Sequence, residues 1–170
     1  MSEEMIPIVN EKDEVVDIKG ISEAHKYGLI HREVYVYLIN LDGGVLLQKR
    51  KDNGLWDHSA AGHFSSTESY VDGAKREFEE ELGVKIEARD LKEIGYERIN
   101  TIKPNKKNFR FVKIYVVKKD ITLENFKIDR TEVEDIKFFD KNELRKLLQQ
   151  PNFLTGSAKS LIEKYILSRL

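Results

Sequence analysis

Hydrophobic and polar positions alternate with two different periods along this chain. The clearest period-two stretch is Glu33–Asn40, EVYVYLIN, which is β-branched and aromatic and predicts a strand. Asp42-Gly43-Gly44 then supplies turn chemistry and returns the chain into a second strand, Val45–Arg50. Upstream, Ile6, Ile8, Val15, Val16 and Ile18 alternate weakly around the polar tip Asn10-Glu11-Lys12-Asp13, which predicts a short hairpin over residues 4–18. Ile21–Ile30, with His25 and Gly28, reads as a loop, and so does Lys51–Leu55. A short strand is expected around His58–His63. Lys92–Asn100 and Phe109–Lys118 are expected to form a long hairpin joined by the basic, proline-containing loop Thr101–Asn108. Ile136–Phe139 is one more short strand.

The helical period appears after residue 68. Ser69 followed by Asp72 is a capping box, and Val71, Ala74, Phe78 and Leu82 repeat at helical spacing behind it. Gly83 stands where a helix end favours a left-handed residue. Asp140 with Glu143 caps a second helix that carries Leu144, Leu147 and Leu148 and stops before Pro151. From about Ser157, Ala158, Leu161, Ile162, Tyr165 and Ile166 form the apolar stripe of a last helix. Strands precede, separate and follow the first of these helices. That order predicts an α/β fold, a mixed β-sheet with helices packed on it. No linker, repeat or low-complexity segment interrupts it, so residues 1–170 are expected to form one domain.

Composition narrows the function more than the fold. The 170 residues carry 29 Lys+Arg against 30 Asp+Glu, a formal charge of -1, which argues against general nucleic-acid or membrane binding. There is no cysteine, which removes disulfides, thiolate metal sites and cysteine nucleophiles. The N-terminus, MSEEMIPIVNEKDE, has no basic-then-apolar signal and no apolar run is long enough to span a bilayer, so a cytoplasmic location is expected.

The first helix carries the chemistry. Glu77, Glu80 and Glu81 are related by steps of three and four, so their carboxylates share one face, and Arg76 lies one turn before Glu80. A glutamate-rich face is ordinarily just solvated. Here it belongs to a longer pattern: Gly62, five residues, Glu68, seven residues, Arg76-Glu77, an apolar residue, any residue, Glu80-Glu81, any residue, Gly83 and an apolar residue. Over residues 62–84 this matches the Nudix box without a departure, and the chain resembles the Nudix hydrolase superfamily. The resemblance implies an α/β/α sandwich and Mg²⁺, with Mn²⁺ as an alternative, held by Glu77, Glu80, Glu81 and the Gly62 carbonyl. Oxygen donors of this kind suit a hard cation that also meets phosphate oxygens. Glu80 or Glu81 would position or deprotonate the attacking water, with Arg76 orienting Glu80 and Glu68 in a structural role. A further glutamate from a distant loop is expected to assist, and Glu132 is preferred over Glu134.

The flanking segments Ala24-His25, Leu29-Ile30-His31-Arg32, Leu46–Arg50 and Trp56–His63 are similar to the branch that includes isopentenyl-diphosphate isomerase. That isomerase relies on a cysteine just before the glycine-histidine pair and on a metal held by three histidines and two carboxylates. His25, His31 and His63 match the histidines. The cysteine position reads Ala61, and Arg110 falls in the strand where the isomerase carries its paired glutamates, where it would repel a cation. Arg32, Lys49 and Arg50 border strands and are candidate phosphate ligands, with His31 and His63 beside them. Trp56, the only tryptophan, is a candidate for stacking on a base, although core or loop packing is the preferred explanation. The loop with Lys103, Lys106, Lys107 and Arg110 could close over an anion or be a solvated hairpin tip.

These readings converge on a Mg²⁺-dependent hydrolase that cleaves the pyrophosphate linkage of a nucleoside diphosphate derivative. Its expected partner is a small phosphoanhydride substrate, and the chain is expected as a monomer or homodimer. The rivals are the isomerase and a nucleotide-binding domain without catalysis, but Ala61 argues against the first and the intact carboxylate set against the second.

Overall fold

A computed structural model describes residues 3–170. The strands are β1 (Met5–Val9), β2 (Val15–Gly20), β3 (Ile30–Ile39), β4 (Val45–Arg50), β5 (Trp56–Asp57), β6 (Ala60–His63), β7 (Leu91–Lys103), β8 (Lys106–Lys118) and β9 (Val133–Phe139). The helices are α1 (Ile21–Tyr27), α2 (Tyr70–Leu82), α3 (Lys141–Leu148) and α4 (Gly156–Leu161). Past Leu161 the last helix widens into a π-type segment, Ile162–Ile166.

The sheet is mixed and is built around β3. Strand β8 runs parallel along one side of it from Ile30 opposite Phe109 to Ile39 opposite Lys118. On the other side β3 pairs antiparallel with β6, where Val34 faces Gly62, and with β1 and β4 at its ends. Alternation along β3 divides the core into two layers. Val34, Val36 and Leu38 pack with Ala74, Phe78 and Leu82 of α2. Tyr35, Tyr37 and Ile39 pack with Leu144, Leu147 and Leu148 of α3 and with Leu161, Ile162 and Ile166 at the C-terminal end. The result is an α/β sandwich, as the periodicities predicted.

Local chemistry explains where α2 begins and ends. The Ser69 side chain accepts a hydrogen bond from the Asp72 amide, and Asp72 reaches back to the Ser69 amide. Gly83 takes φ 70°, and its amide closes onto the Glu79 carbonyl.

Two sequence expectations are corrected. Residues 21–27, expected as loop, form the helix α1, which ends at Gly28 with φ 68°. Its seven residues give too short a stripe to reveal a helix, and only Ala24 is buried. The loop expected over Thr101–Asn108 shrinks to the two residues Pro104-Asn105. Strands β7 and β8 pair as far as Lys103 opposite Lys106, and Asn105 takes the left-handed turn conformation at φ 64°.

Candidate active site

The loop before α2 and the helix itself are tied together by Arg76. Its Nε donates to Glu68 Oε1 at 2.8 Å, and its Nη2 donates to the His63 carbonyl at 2.8 Å. Nη1 is shared by Glu77 Oε1 and Glu80 Oε2, each at 2.8 Å. Glu68 also accepts from the Ser65 amide at 2.8 Å, which gives this residue the structural role expected of it. One guanidinium therefore fixes two of the three carboxylates expected to hold metal, and one expected partner, Glu80, is among them.

Glu77 lies directly over Gly62. A Cβ on Gly62 would sit 2.2 Å from the Glu77 carboxyl carbon and 2.3 and 2.5 Å from its oxygens. Only a residue without a side chain lets this carboxylate approach the strand backbone. Burial pushes the Glu77 carboxyl up to about 8, against the pull of Arg76. Glu81 is more deeply enclosed. Its Oε2 accepts from Gln48 Nε2 at 2.9 Å and from the Ala61 amide at 3.0 Å. Burial still raises it well above the carboxylate range, and the charges of Glu77 and Glu132 add to that. Two acids whose neutral form burial favours, with a third on the same helix, form an environment that a divalent cation would stabilise in the ionised form. The residues therefore fit such an ion.

These groups line a cleft of about 1060 Å³. Glu132 also lines it, close enough for its charge to act on Glu81. Glu134 does not line the cleft and pairs with Lys49 at 2.8 Å on the surface. Arg50 reaches the cleft held by Asp52 at 2.9 Å and Asp57 at 3.2 Å. His63 also lines it.

Four candidates do not line this cleft: His31, which belongs to the histidine group described below, and three that other residues take up. Arg32 donates to the Asp13 carboxylate at 2.7 Å and to its carbonyl at 2.6 Å, locking the first hairpin's tip against β3. Lys49 is engaged by Glu134. Trp56 is buried edge-to-face on Phe139, with ring centroids 5.0 Å apart, and belongs to the core rather than to a base-stacking surface. In each case a nearby partner from a distant segment takes up the side chain.

The histidines gather at one point. The rings of His25, His31 and His63 lie 5.0–5.4 Å apart. His31 Nδ1 donates to the Leu29 carbonyl at 2.9 Å, so in the neutral tautomer a lone pair stands on Nε2. The Nε2 atoms of all three are buried without a hydrogen-bond partner among the described residues. Burial, with Lys106 and the other histidines adding to it, drives His25 down to about 3.

Glu33, which the sequence reading did not select, completes this group. Its Oε1 lies 3.1 Å from His63 Nε2 and 3.7 Å from His31 Nε2, and it accepts from Asn108 Nδ2 at 2.9 Å. Its Oε2 meets Arg110 Nε at 2.9 Å and the Tyr35 hydroxyl at 2.7 Å. Burial disfavours this carboxylate, but His63 and Arg110 outweigh it and hold Glu33 well below the usual range. His25, His31, Glu33 and His63 offer ligand atoms within 4.8 Å of one another, a set able to hold a metal ion. Arg110 thus neither lies free nor supplies a ligand. It balances Glu33. The period-two sequence His31, Glu33, Tyr35 was the available signal, since three polar side chains on one face of a central strand need a common reason to be buried.

Comparison with known proteins identifies the family. The NUDIX domain family model matches residues 29–161, and the chain belongs to that family. It is 32% identical to Nudix hydrolase 3 of Arabidopsis thaliana over 161 residues, covering 88% of this chain but only 21% of that protein. It is 29% identical to an uncharacterised Nudix hydrolase of Clostridium acetobutylicum, covering 87% of this chain and 75% of the relative. Isopentenyl-diphosphate Delta-isomerase of Serratia proteamaculans matches at 29% over 100 residues, 56% of each chain. A crystal structure from Deinococcus radiodurans superposes with a TM-score of 0.71 at 22% identity, covering 95% of this chain and 98% of that one, a likeness of fold.

Proposed function

We propose that this chain is a Mg²⁺-dependent hydrolase of the pyrophosphate linkage in nucleoside diphosphate derivatives. The observation that carries the reading is the buried acid group of Glu77 and Glu81, braced by Arg76 over a side-chain-free Gly62 and faced by Glu132. Glu77, Glu80 and Glu81, with the Gly62 carbonyl, would hold the ion, and Mn²⁺ is the expected substitute. When bound, such an ion neutralises phosphate oxygens and lowers the pKa of a water.

The chain's own groups do the rest. Glu81, held from behind by Gln48 and the Ala61 amide, points an oxygen into the cleft to orient the attacking water. Glu132, facing it, accepts the water's proton as the new phosphorus–oxygen bond forms and the bridging oxygen departs with the leaving phosphate. Arg76 is a positioning residue, because its donors are all engaged by the acids and the His63 carbonyl. Arg50 and His63 are the members of the expected substrate-binding set that the cleft brings within reach of a phosphate, with His31 behind them in the histidine group.

The test is direct. Purified protein with Mg²⁺ is incubated with nucleoside di- and triphosphates, sugar nucleotides and dinucleotides, and phosphate or nucleotide release is followed. Turnover well above that of Glu80→Gln and Glu81→Gln variants is expected for at least one. Turnover no higher than the variants for every compound would overturn the reading. The histidine group favours one second reading, isomerisation of isopentenyl diphosphate, and proton exchange in D₂O tests it. Ala61 at the position of the isomerase's cysteine predicts no exchange.

A further inference from the structure

The hairpin β7–β8 forms one wall of the cleft. Residues directly opposite in its ladder share a face, so Thr101 with Asn108 and Lys103 with Lys106 present their side chains together. All four line the cleft. Lys107 points the other way, where its side chain lies over Gly28 at the end of α1.

Charge sets Lys103 and Lys106 apart from every other cation there. Arg50, Arg76 and Arg110 are each held by carboxylates at 2.8–3.2 Å, Lys164 pairs with Glu97, and Arg98 lies 3.7 Å from Glu11. Among the described residues Lys103 and Lys106 make no ion pair. Like charges directly opposite in a ladder destabilise a hairpin, so this pair costs stability unless an anion lies between them. The tip reaches far enough for the Lys103 charge to act on Asp52 in the β4–β5 loop. Lys106 is drawn toward the protein, where burial lowers its pKa despite the attraction of Glu33. Two unmatched ammonium groups sit over a cleft whose other cations are all paired.

We propose that Lys103 and Lys106 form a two-ammonium grip for a terminal phosphate of the substrate. Two positive charges match the roughly -1.5 to -2 of a phosphate monoester at neutral pH and exceed the single charge of an internal diester phosphate. The expected preference is for anhydrides that end in a free phosphate over those capped by a sugar or second nucleoside. This rests on the reading that the cleft accepts a phosphoanhydride, and it names the group beyond the anhydride.

Linear tripolyphosphate, which has terminal phosphates, and cyclic trimetaphosphate, which has none, separate the two statements without any hydrolysis. Calorimetric titration of the full chain with each, in the presence of Mg²⁺, should show tighter binding of the linear ion. Removing one ammonium should weaken it roughly tenfold and both up to about a hundredfold. So Lys103→Gln/Lys106→Gln should lose the linear ion's advantage and leave trimetaphosphate binding nearly unchanged. Lys107→Gln should bind as wild type, and Lys103→Arg/Lys106→Arg should retain most of the affinity. Equal losses for both ions, an unchanged double variant, or a wild type that binds neither would overturn the grip. Intact discrimination by a protein that hydrolyses nothing would support the grip and overturn the hydrolase reading instead.

Discussion

Replacing Gly62 with alanine tests the site at its tightest contact. The new Cβ would fall 2.2 Å from the Glu77 carboxyl carbon, whereas ordinary contact begins near 3.4 Å. One side must therefore retreat by about 1.2 Å. The strand cannot easily do so, because Gly62 is paired with Val34 in the middle of the sheet. The carboxylate must move, and Arg76, bonded to it at 2.8 Å, moves or lets go. Gly62 needs no left-handed backbone, so alanine leaves the fold intact and the melting temperature should shift by only a few degrees. A displacement of an ångström at reacting groups costs on the order of a hundredfold in rate. The expected result is a kcat/KM about 10²-fold lower for any substrate the wild type turns over, with Mg²⁺ affinity reduced as well. Glu77→Asp in the alanine background shortens the acid by one methylene and should recover part of the loss, although it is harmful alone. That sign reversal is the signature of a direct contact. Wild-type metal affinity and turnover in Gly62→Ala would refute the geometry.

The proton on Glu77 gives a second check. With its carboxyl near 8, most of it is protonated at pH 7, so Mg²⁺ uptake should release close to one proton, read by calorimetry in buffers of different ionisation enthalpy. Because the folded value is raised, the stability it contributes to the metal-free protein is complete below the unfolded value and lost as pH rises through about 8. That loss is on the order of 3–5 kcal/mol, and Mg²⁺ should restore it in urea titrations. Glu132→Gln should lower kcat by roughly 10²–10³ in steady-state assays, whereas Glu134→Gln, which breaks only a surface pair with Lys49, should leave it unchanged. Arg110→Met removes the guanidinium paired with the buried Glu33 carboxylate, leaving it the Tyr35 hydroxyl, Asn108 and the imidazoles, and should cost about 3 kcal/mol by chemical denaturation, most of it recovered by adding Glu33→Gln.

What could be read from the chain was what short-range chemistry determines. The cap at Ser69, the apolar stripe of α2, the left-handed Gly83 and the Arg76–Glu80 contact all lie within one or two turns of their causes. Glu132 was chosen through the family resemblance, and it does line the cleft. The misreadings share a different origin. Arg32 was expected at a phosphate, and Asp13, 19 residues away, holds it instead. Trp56 was a candidate for a base with packing preferred, and Phe139 is the partner that packing uses. Pro104 suggested a wide loop, but proline suits a tight turn when a left-handed residue follows, and Asn105 is that residue. In each case the deciding partner is far away in sequence or one position along, where periodicity carries no information.

The two polar groups of the cleft differ in net charge, and this decides their roles. Around α2, Glu68, Glu77 and Glu80 share one guanidinium, Glu81 has only neutral donors, and Glu132 adds a further acid to the cleft. With a cation bound and every acid ionised, an excess of negative charge remains, which suits a hard divalent ion that must also attract phosphate oxygens. Around the histidines, Glu33 is matched by Arg110 at 2.9 Å, and the imidazoles are neutral ligands. A cation there would find nitrogen donors but no surplus negative charge, a preference for a borderline metal over magnesium. On the reading proposed above, a phosphoanhydride bound in the cleft would meet a hard cation at the helix, and Arg110, by balancing Glu33, would make the histidine group the weaker competitor for that ion.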